Sequence, residues 1–314
     1  FDLAYLDPPY NQHQYGSNYH LLNTIALWDK PLLREPHPGK AAIRKDWVKT
    51  RSAYCYREPA ERAFAGLLEL VRARIILVSY STEGIIPFDR LMELCGARGK
   101  VSLHTGQYVK YRGGRQSVTR LNNIIEFVVV IETDRRTSSA DLRLIEDAIR
   151  GRELSLQVKK RYRRAELARM FILDQERQSI GVRVEGATLW IRTRDFFSIE
   201  EPDVNGKLEE LPVSCETKRR ARERLLDGLR RCECRDKTEE LDELLARVED
   251  GDGRYFASLL PDVLRKIAHK KYRPLFERYL ARTMDLQQRH PALFELIRER
   301  VHSVRLIAAR RFNG

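Results

Sequence analysis

The sequence predicts an α/β fold whose sheet combines parallel strands with an antiparallel hairpin, followed by a mainly helical α+β extension. Three observations carry this expectation. Short apolar runs at Asp2–Leu6 and "IILVSYS" (75–81) flank a segment with helical spacing, the alternation of a parallel sheet. Two further strand-like runs, Val101–Tyr111 and Asn122–Thr133, are joined by too few residues for a crossover helix and should pair antiparallel. Beyond Thr133 apolar residues recur mostly at helical spacing, interrupted by one alternating stretch, "GVRVEGATLWIRT" (181–193).

Each element has a local cause. After the first strand, Lys30 to Arg57 carries eight Lys or Arg against Glu35 and Asp46. It also holds Pro31, Pro36, Pro38 and Gly39, so much of it reads as loop. Glu58 to Arg74 places Phe64, Leu67, Leu68 and Val71 on one helical side, with Pro59 tolerated in the first turn. Gly84–Ile85–Ile86–Pro87 leads into a second helix bearing Phe88, Leu91, Met92 and Leu94. In "RGGR" (112–115), Gly113–Gly114 supplies the backbone freedom of a hairpin turn.

The extension begins with "DRRTSSAD" (134–141), read as a linker, and a short helix at Asp141–Arg150. A turn at Glu185–Gly186 makes 181–193 a β-hairpin. Leu225, Leu226, Leu229, Leu241, Leu244 and Leu245 mark helices within Lys218–Glu249. Ser258–Lys270, Pro274–Arg282 and Pro291–Arg311 read as helical too. The basic run "VKKRYRRAELAR" (158–169), with Tyr162 interleaved, is a candidate nucleic-acid contact. Two domains are therefore expected, 1–133 and 134–314.

Composition narrows the partners. Hydrophobic residues make up 42% of 314, enough for a real core, and the formal charge of +13 favours a polyanionic partner. No run of about eighteen apolar residues predicts a membrane-crossing helix. Phe1–Asp2 opens directly into a strand without a signal-peptide pattern. Cys55, Cys95, Cys215, Cys232 and Cys234 are odd in number and scattered, which suits reduced thiols and a cytoplasmic setting. The Cys232–Cys234 pair lacks partners at metal-ligand spacing, so no metal is expected.

The chemistry is concentrated at "DPPY" (7–10), where the first strand ends. Parallel sheets bind ligands at the carboxyl ends of their strands. Asp7 offers two acceptor oxygens, and Pro8, although it cannot donate, keeps a carbonyl on a backbone of restricted φ. Together they can accept both N–H groups of an exocyclic amine, while Tyr10 supplies a ring for a base to stack on. Such a group suits an adenine flipped out of duplex DNA. A rigid strand-to-loop turn is the competing structural reading.

At these residues the chain resembles a known family. "YLDPPYNQHQYGSNYHLLNTIALWD" is similar to the catalytic motif of the D12-class adenine-specific (N6) DNA methyltransferases, the bacterial DNA adenine methylases. The similarity extends through "RIILVSYSTEGIIP" and the hairpin, about residues 1–133. The resemblance implies a Rossmann-like sheet of seven strands with an antiparallel hairpin, of which this chain would hold the C-terminal half. It implies S-adenosylmethionine as cofactor, double-stranded DNA as substrate, and a possible restriction endonuclease partner. It assigns Asp7 and the proline carbonyl to the target amine, Tyr10 to stacking, Pro9 to the motif's backbone, and Asp7 to the neighbourhood of the cofactor. An aspartate at the motif's first position favours adenine over cytosine-N4, where serine is more usual, and over RNA or protein-glutamine substrates, where asparagine is.

Around the motif, Tyr15, Asn18, Tyr19 and His20 are candidates for walling the base pocket, with Tyr19 and His20 as simple helix openers the equal alternative; Tyr80 ends the next strand at the same side, where it could line the cleft but reads rather more readily as a satisfied core tyrosine. Lys45, Lys49, Lys110, Arg112 and Arg115 are candidate phosphate contacts, in clusters that include Lys40, Arg44 and Arg51. The family's glycine-rich cofactor turn, F-x-G-x-G, occurs nowhere in the 314 residues. The close glycine pairs are Gly113–Gly114 in the hairpin and Gly251/Gly253 after a helical run. In the D12 order that turn precedes DPPY, so the expectation is an N-terminally truncated chain, inactive in isolation. A non-catalytic DNA-binding protein with a methyltransferase-like fold is the alternative.

Overall fold

The computed structural model describes residues 1–33, 35, 42–106, 124–250 and 253–313. The "RGGR" turn and with it Lys110, Arg112 and Arg115 lie outside the described residues, as does Lys40. Two compact units divide between Ile149 and Arg150, whereas the composition shift comes after Thr133.

In the first unit the opening apolar run forms β1 (Leu3–Leu6). Two short helices follow, α1 (Tyr15–Asn18) and α2 (His20–Leu27), then 3-10 turns at Lys45–Thr50 and Ala53–Cys55. Helix α3 (Arg57–Leu70) leads to β2 (Ile75–Ser81), α4 (Phe88–Arg98), β3 (Lys100–Thr105) and β4 (Glu126–Glu132). The sheet order is β1-β2-β4-β3. β1 and β2 run parallel, Leu3 opposite Ile75 and Leu6 opposite Val78. β4 inserts antiparallel between β2 and β3, pairing Tyr80 with Phe127 and Val101 with Ile131. This is the mixed α/β sheet the sequence predicts.

Pairing register decides which side chains share a face. Ile76, Val78, Tyr80, Phe127, Val129, Ile131 and Val101 fall on one face and are buried. Phe64 and Leu68 of α3 and Leu91, Met92 and Cys95 of α4 are buried in the same unit, and Phe88 at the start of α4 meets Phe127 edge-on at 5.3 Å. The opposite face differs. Its apolar residues Leu3, Tyr5, Ile75, Leu77, Val128 and Val130 are half-buried or exposed, Leu3 at 55% and Tyr5 at 60%. The expected buried strand is thus only half-buried at β1. The reason is geometric: β1 pairs with β2 alone among the described strands, and Leu3 and Tyr5 on its outer face stay exposed among the described residues.

The stretch 134–141, read as a linker, is tied to the sheet. Thr137 donates its hydroxyl to the Gly99 carbonyl at 2.6 Å and accepts the Val101 amide at 3.0 Å. Helix α5 (Ser139–Gln157) then begins on a Ser138–Asp141 capping pair and runs well beyond the predicted short helix.

The second unit has two cores. In one, α6 (Arg164–Met170), the antiparallel strands β5 (Ile172–Asp174), β6 (Ser179–Val184), β7 (Ala187–Arg194) and β8 (Ser198–Ile199), α7 (Val204–Glu209) and α8 (Cys215–Cys232) enclose Leu154, Ile180, Ile191 and Leu225. Gly186, at φ +71°, provides the left-handed turn between β6 and β7. In the other, α9 (Lys237–Glu249), α10 (Gly253–Ile267), α11 (Arg273–Arg289), α12 (Pro291–Phe294) and α13 (Arg298–Asn313) pack around Phe256, Leu260 and Leu264. Tyr162 belongs to the interior. It is fully buried, and its hydroxyl is consumed by the Gln157 carbonyl, so it cannot stack on a base. Cys232 and Cys234 are buried as well, and burial pushes the Cys232 thiol up to about 11. No metal-binding group occurs among the described residues, and none of their helices is long and apolar enough to cross a membrane.

Phe256 is fully buried, edge-on to Phe197 at 5.6 Å and beneath the Arg247 guanidinium at 4.4 Å. Phe256→Ala should destabilise this unit by about 3–5 kcal/mol. Urea unfolding followed by circular dichroism reads this directly, and a loss under about 1 kcal/mol would contradict the packing.

Candidate active site at the end of the first strand

β1 stops because Pro8 and Pro9 cannot donate to a strand ladder. The chain leaves the sheet with Asp7 exposed, Pro8 buried, and Pro9 and Tyr10 half-buried. Tyr10 is held at both ends. Its carbonyl accepts the Ile85 amide at 3.0 Å, and its hydroxyl lies 3.5 Å from a Glu126 carboxylate oxygen. Its ring meets the Tyr80 ring edge-on, centroids 5.9 Å apart at 71°.

Tyr80, at the end of β2, is only 2% exposed. Its hydroxyl accepts the Ile86 amide at 3.0 Å, and burial raises its phenol above the ordinary value. It therefore stands behind Tyr10 and does not line an open cleft. Gly84 lies flat against it: a Cβ there would come 2.1 Å from the Tyr80 ring. An open cavity of about 560 Å³ lies beside the same loop, lined by Ile85, Ile86 and Pro87 with Arg57, Glu58, Glu61 and Arg62, and includes none of the DPPY residues.

Of the flanking candidates, Tyr15 is brought to Asp7. Its phenol is raised first by partial burial and then by the negative charge of Asp7. Tyr19 packs edge-on against Tyr15 at 5.5 Å, while Asn18 is exposed and half-buried His20 opens α2. Lys45 and Lys49 are exposed on the 3-10 turn that α1 packs against, where Gly16 sits so close to Thr50 that a Cβ would overlap its hydroxyl.

Several residues that hold this region in place carry no signal in the sequence. Gln14 is buried and clamps the Ser52 backbone from both sides, accepting its amide at 2.8 Å and donating to its carbonyl at 3.3 Å. Buried Arg44, read from the sequence as one of a basic cluster, is instead locked by paired hydrogen bonds to Asp29 and to Asp46, all between 2.7 and 3.1 Å. Asp29 is presented between Trp28 and Lys30, both in left-handed backbone conformations unusual for such residues. Glu126 reaches Tyr10 from β4, over a hundred residues along the chain.

Comparison with known proteins finds similarity in the first part of the chain. Residues 1–55 match the family model of the D12 class N6 adenine-specific DNA methyltransferases, which supports the resemblance read from the motif. Among individual relatives, the type II methyltransferase M.FokI of Planomicrobium okeanokoites is 37% identical over 131 residues, covering 40% of this chain and 20% of that protein. M.NlaIII of Neisseria lactamica is 32% identical over 133 residues, 42% of this chain and 38% of its own. The modification methylase LlaI of Lactococcus lactis subsp. lactis is 34% identical over 133 residues, 41% and 20% respectively. The chain thus spans between a fifth and two fifths of these relatives. No solved structure matches it.

The Arg44 lock has a pH signature. The Arg44 guanidinium holds the Asp46 carboxyl below the ordinary carboxylate range. A carboxyl depressed on folding stabilises above its unfolded value and loses that contribution as pH falls through the folded one. Limited proteolysis of 28–52 should therefore accelerate below about pH 4, and Asp46→Asn should bring that faster cleavage to neutral pH. Equal cleavage of both proteins at pH 7 would argue against the lock.

Proposed function

We propose that residues 1–133 form the amine-binding part of an S-adenosylmethionine-dependent methyltransferase acting on adenine N6 in double-stranded DNA. The observation that carries the reading is the arrangement at DPPY: an exposed carboxylate, a proline carbonyl and a braced aromatic ring at the carboxyl end of a parallel strand. The type II modification methylases among the relatives suggest a role in restriction–modification, with an endonuclease as companion.

Asp7 and the Pro8 carbonyl accept the two N–H bonds of the adenine amine, which turns the nitrogen lone pair outward. Tyr10 gives the flipped base its stacking face. Tyr80 and Glu126 act on the base only through Tyr10, as positioning residues. When bound, the donor supplies a methyl group activated by its sulfonium, so the protein's task is alignment and electrostatic support. Positive charge develops on the amine as the bond forms, and the Asp7 carboxylate stabilises it. Of the groups that would hold the donor, this chain contributes Asp7. None of its glycines follows the F-x-G-x-G pattern that would let backbone approach it.

The sheet supports the same reading at the level of fold. Its exposed apolar face, and a β1 that pairs with β2 alone among the described strands, suit a strand set belonging to a larger Rossmann-like sheet covered on both sides. The absence of the glycine turn from these residues favours a second reading, a non-catalytic DNA-binding protein with this fold. An in-frame F-x-G-x-G encoded directly upstream would decide for the enzyme.

In protein carrying that turn, Asp7→Ala should cut transfer of labelled methyl groups to unmethylated DNA by on the order of 10²–10³-fold. DNA affinity should stay within about twofold, since a base-edge contact contributes little to non-specific binding. Near-normal turnover would end the assignment. Gly84→Ala should push the new methyl into Tyr80 and cost about 1–3 kcal/mol. Because Tyr80 braces the base platform, kcat should fall more than the stability loss alone explains, and unchanged kcat would separate Tyr80 from the site.

A further inference from the structure

Several arginines of the α9–α13 bundle pair with acids. Arg282 meets Asp242, Arg289 meets Asp285 and Glu249, and Arg300 meets Asp262. At one end of the bundle, basic residues without such partners are gathered together. Arg265 and Lys266 lie in the last turn of α10, Lys270 and Lys271 in the 3-10 turn after it, and Arg310 in the last turn of α13. All five are exposed, and none has an ion pair among the described residues.

They share one end because α13 folds back onto this turn. Arg311 donates to the Ala268 carbonyl at 2.9 Å, the Arg273 guanidinium lies 5.6 Å from the Phe312 ring, and Phe312 packs edge-on to Phe276 at 5.5 Å. The acid on the adjoining first turns of α11, Glu277, is taken by Arg273 at 2.8 Å.

Helix dipoles account for part of this charge and fail for the rest. Cations in a last turn complement the negative helix end, which covers Arg265, Lys266 and Arg310. Lys270 and Lys271 instead precede the N-terminus of α11, where the dipole is positive and the first turn holds no acid. Two lysines there add like charge to like charge, a cost relieved when an anion binds. Half-buried Tyr272 sits among them, with the Lys271 ammonium 5.3 Å from its ring.

We propose that this basic end of the second unit binds the phosphate backbone of double-stranded DNA. The choice of DNA rests on the function proposed for the first unit. Regularly spaced phosphates suit several cations presented side by side without base-reading groups between them.

The test uses the whole chain and a mixed-sequence duplex of about 25 base pairs, with affinity followed by fluorescence anisotropy across a salt series and no methyl donor present. Lys270→Glu/Lys271→Glu should weaken binding at least tenfold near 0.1 M salt. It should also lower the slope of log affinity against log salt by about 2, roughly 0.9 for each phosphate no longer neutralised. Arg231→Glu/Arg254→Glu, which changes the net charge equally at two exposed positions elsewhere, should leave that slope in place; circular dichroism confirms that both variants fold. An unchanged slope in the lysine variant overturns the proposal, as does an equal fall in both variants. Loss of binding to phosphatidylserine vesicles with duplex affinity intact would overturn it in favour of a lipid surface. These outcomes do not depend on methyl transfer. Failure of the adenine reading would appear in the Asp7 variant, with this salt dependence untouched.

Discussion

Much of the first unit depends on one contact, the hydrogen bond from the Ile85 amide to the Tyr10 carbonyl, with Tyr80 behind it. The paired prolines release the chain from β1 and leave it without a ladder of its own. Without an anchor, the segment carrying Asp7 and Tyr10 would move as a loop. The Ser81–Pro87 loop supplies that anchor, and it is itself fixed by Tyr80, whose hydroxyl takes the Ile86 amide while Gly84 lies on its ring. The Tyr10 ring is thus braced through the end of the neighbouring strand, a rigid support for irregular backbone.

The sheet's two faces express a second constraint. Apolar residues on both sides of a parallel strand call for cover on both sides. Here α4 meets one face through Phe88 and Phe127, while Leu3 and Tyr5 on the other stay exposed. Helix α2 repeats the pattern with Leu21, Leu22, Ile25 and Leu27 all exposed. In the second unit the buried clusters are well packed, and the property that stands out is positive charge, gathered without ion-pair partners among the described residues at the end formed by α10, α11 and α13.

Much of this was legible because it is local. "IILVSYS" became β2 over the same seven residues, and the leucines of 225–245 became the buried sides of α8 and α9. DPPY announced a strand end. Other features misled for equally physical reasons. The hydrophilic stretch 134–141 looked like a linker, yet Thr137 satisfies backbone groups at Gly99 and Val101. Tyr162 looked like a nucleic-acid contact among arginines, yet its ring is fully buried, and Arg161 and Arg164 lie over the buried rings of Phe197 and Phe196. Gln14, an ordinary polar residue in the sequence, closes a two-bond clamp on Ser52 that no spacing rule could foresee.

By itself the sequence determined most element types, the mixed sheet and the strand end at DPPY, because propensity, periodicity and proline chemistry act within a few residues. The tertiary structure decided what holds that motif. The insertion of β4 between β2 and β3 brings Glu126 to Tyr10, the fold-back of 44–52 brings Arg44 to Asp29 and Gln14 to Ser52, and α13 returns to the end of α10 to gather the basic surface. Each of these contacts joins residues well separated along the chain. Their cause is the mutual packing of whole elements, which no short stretch of sequence contains.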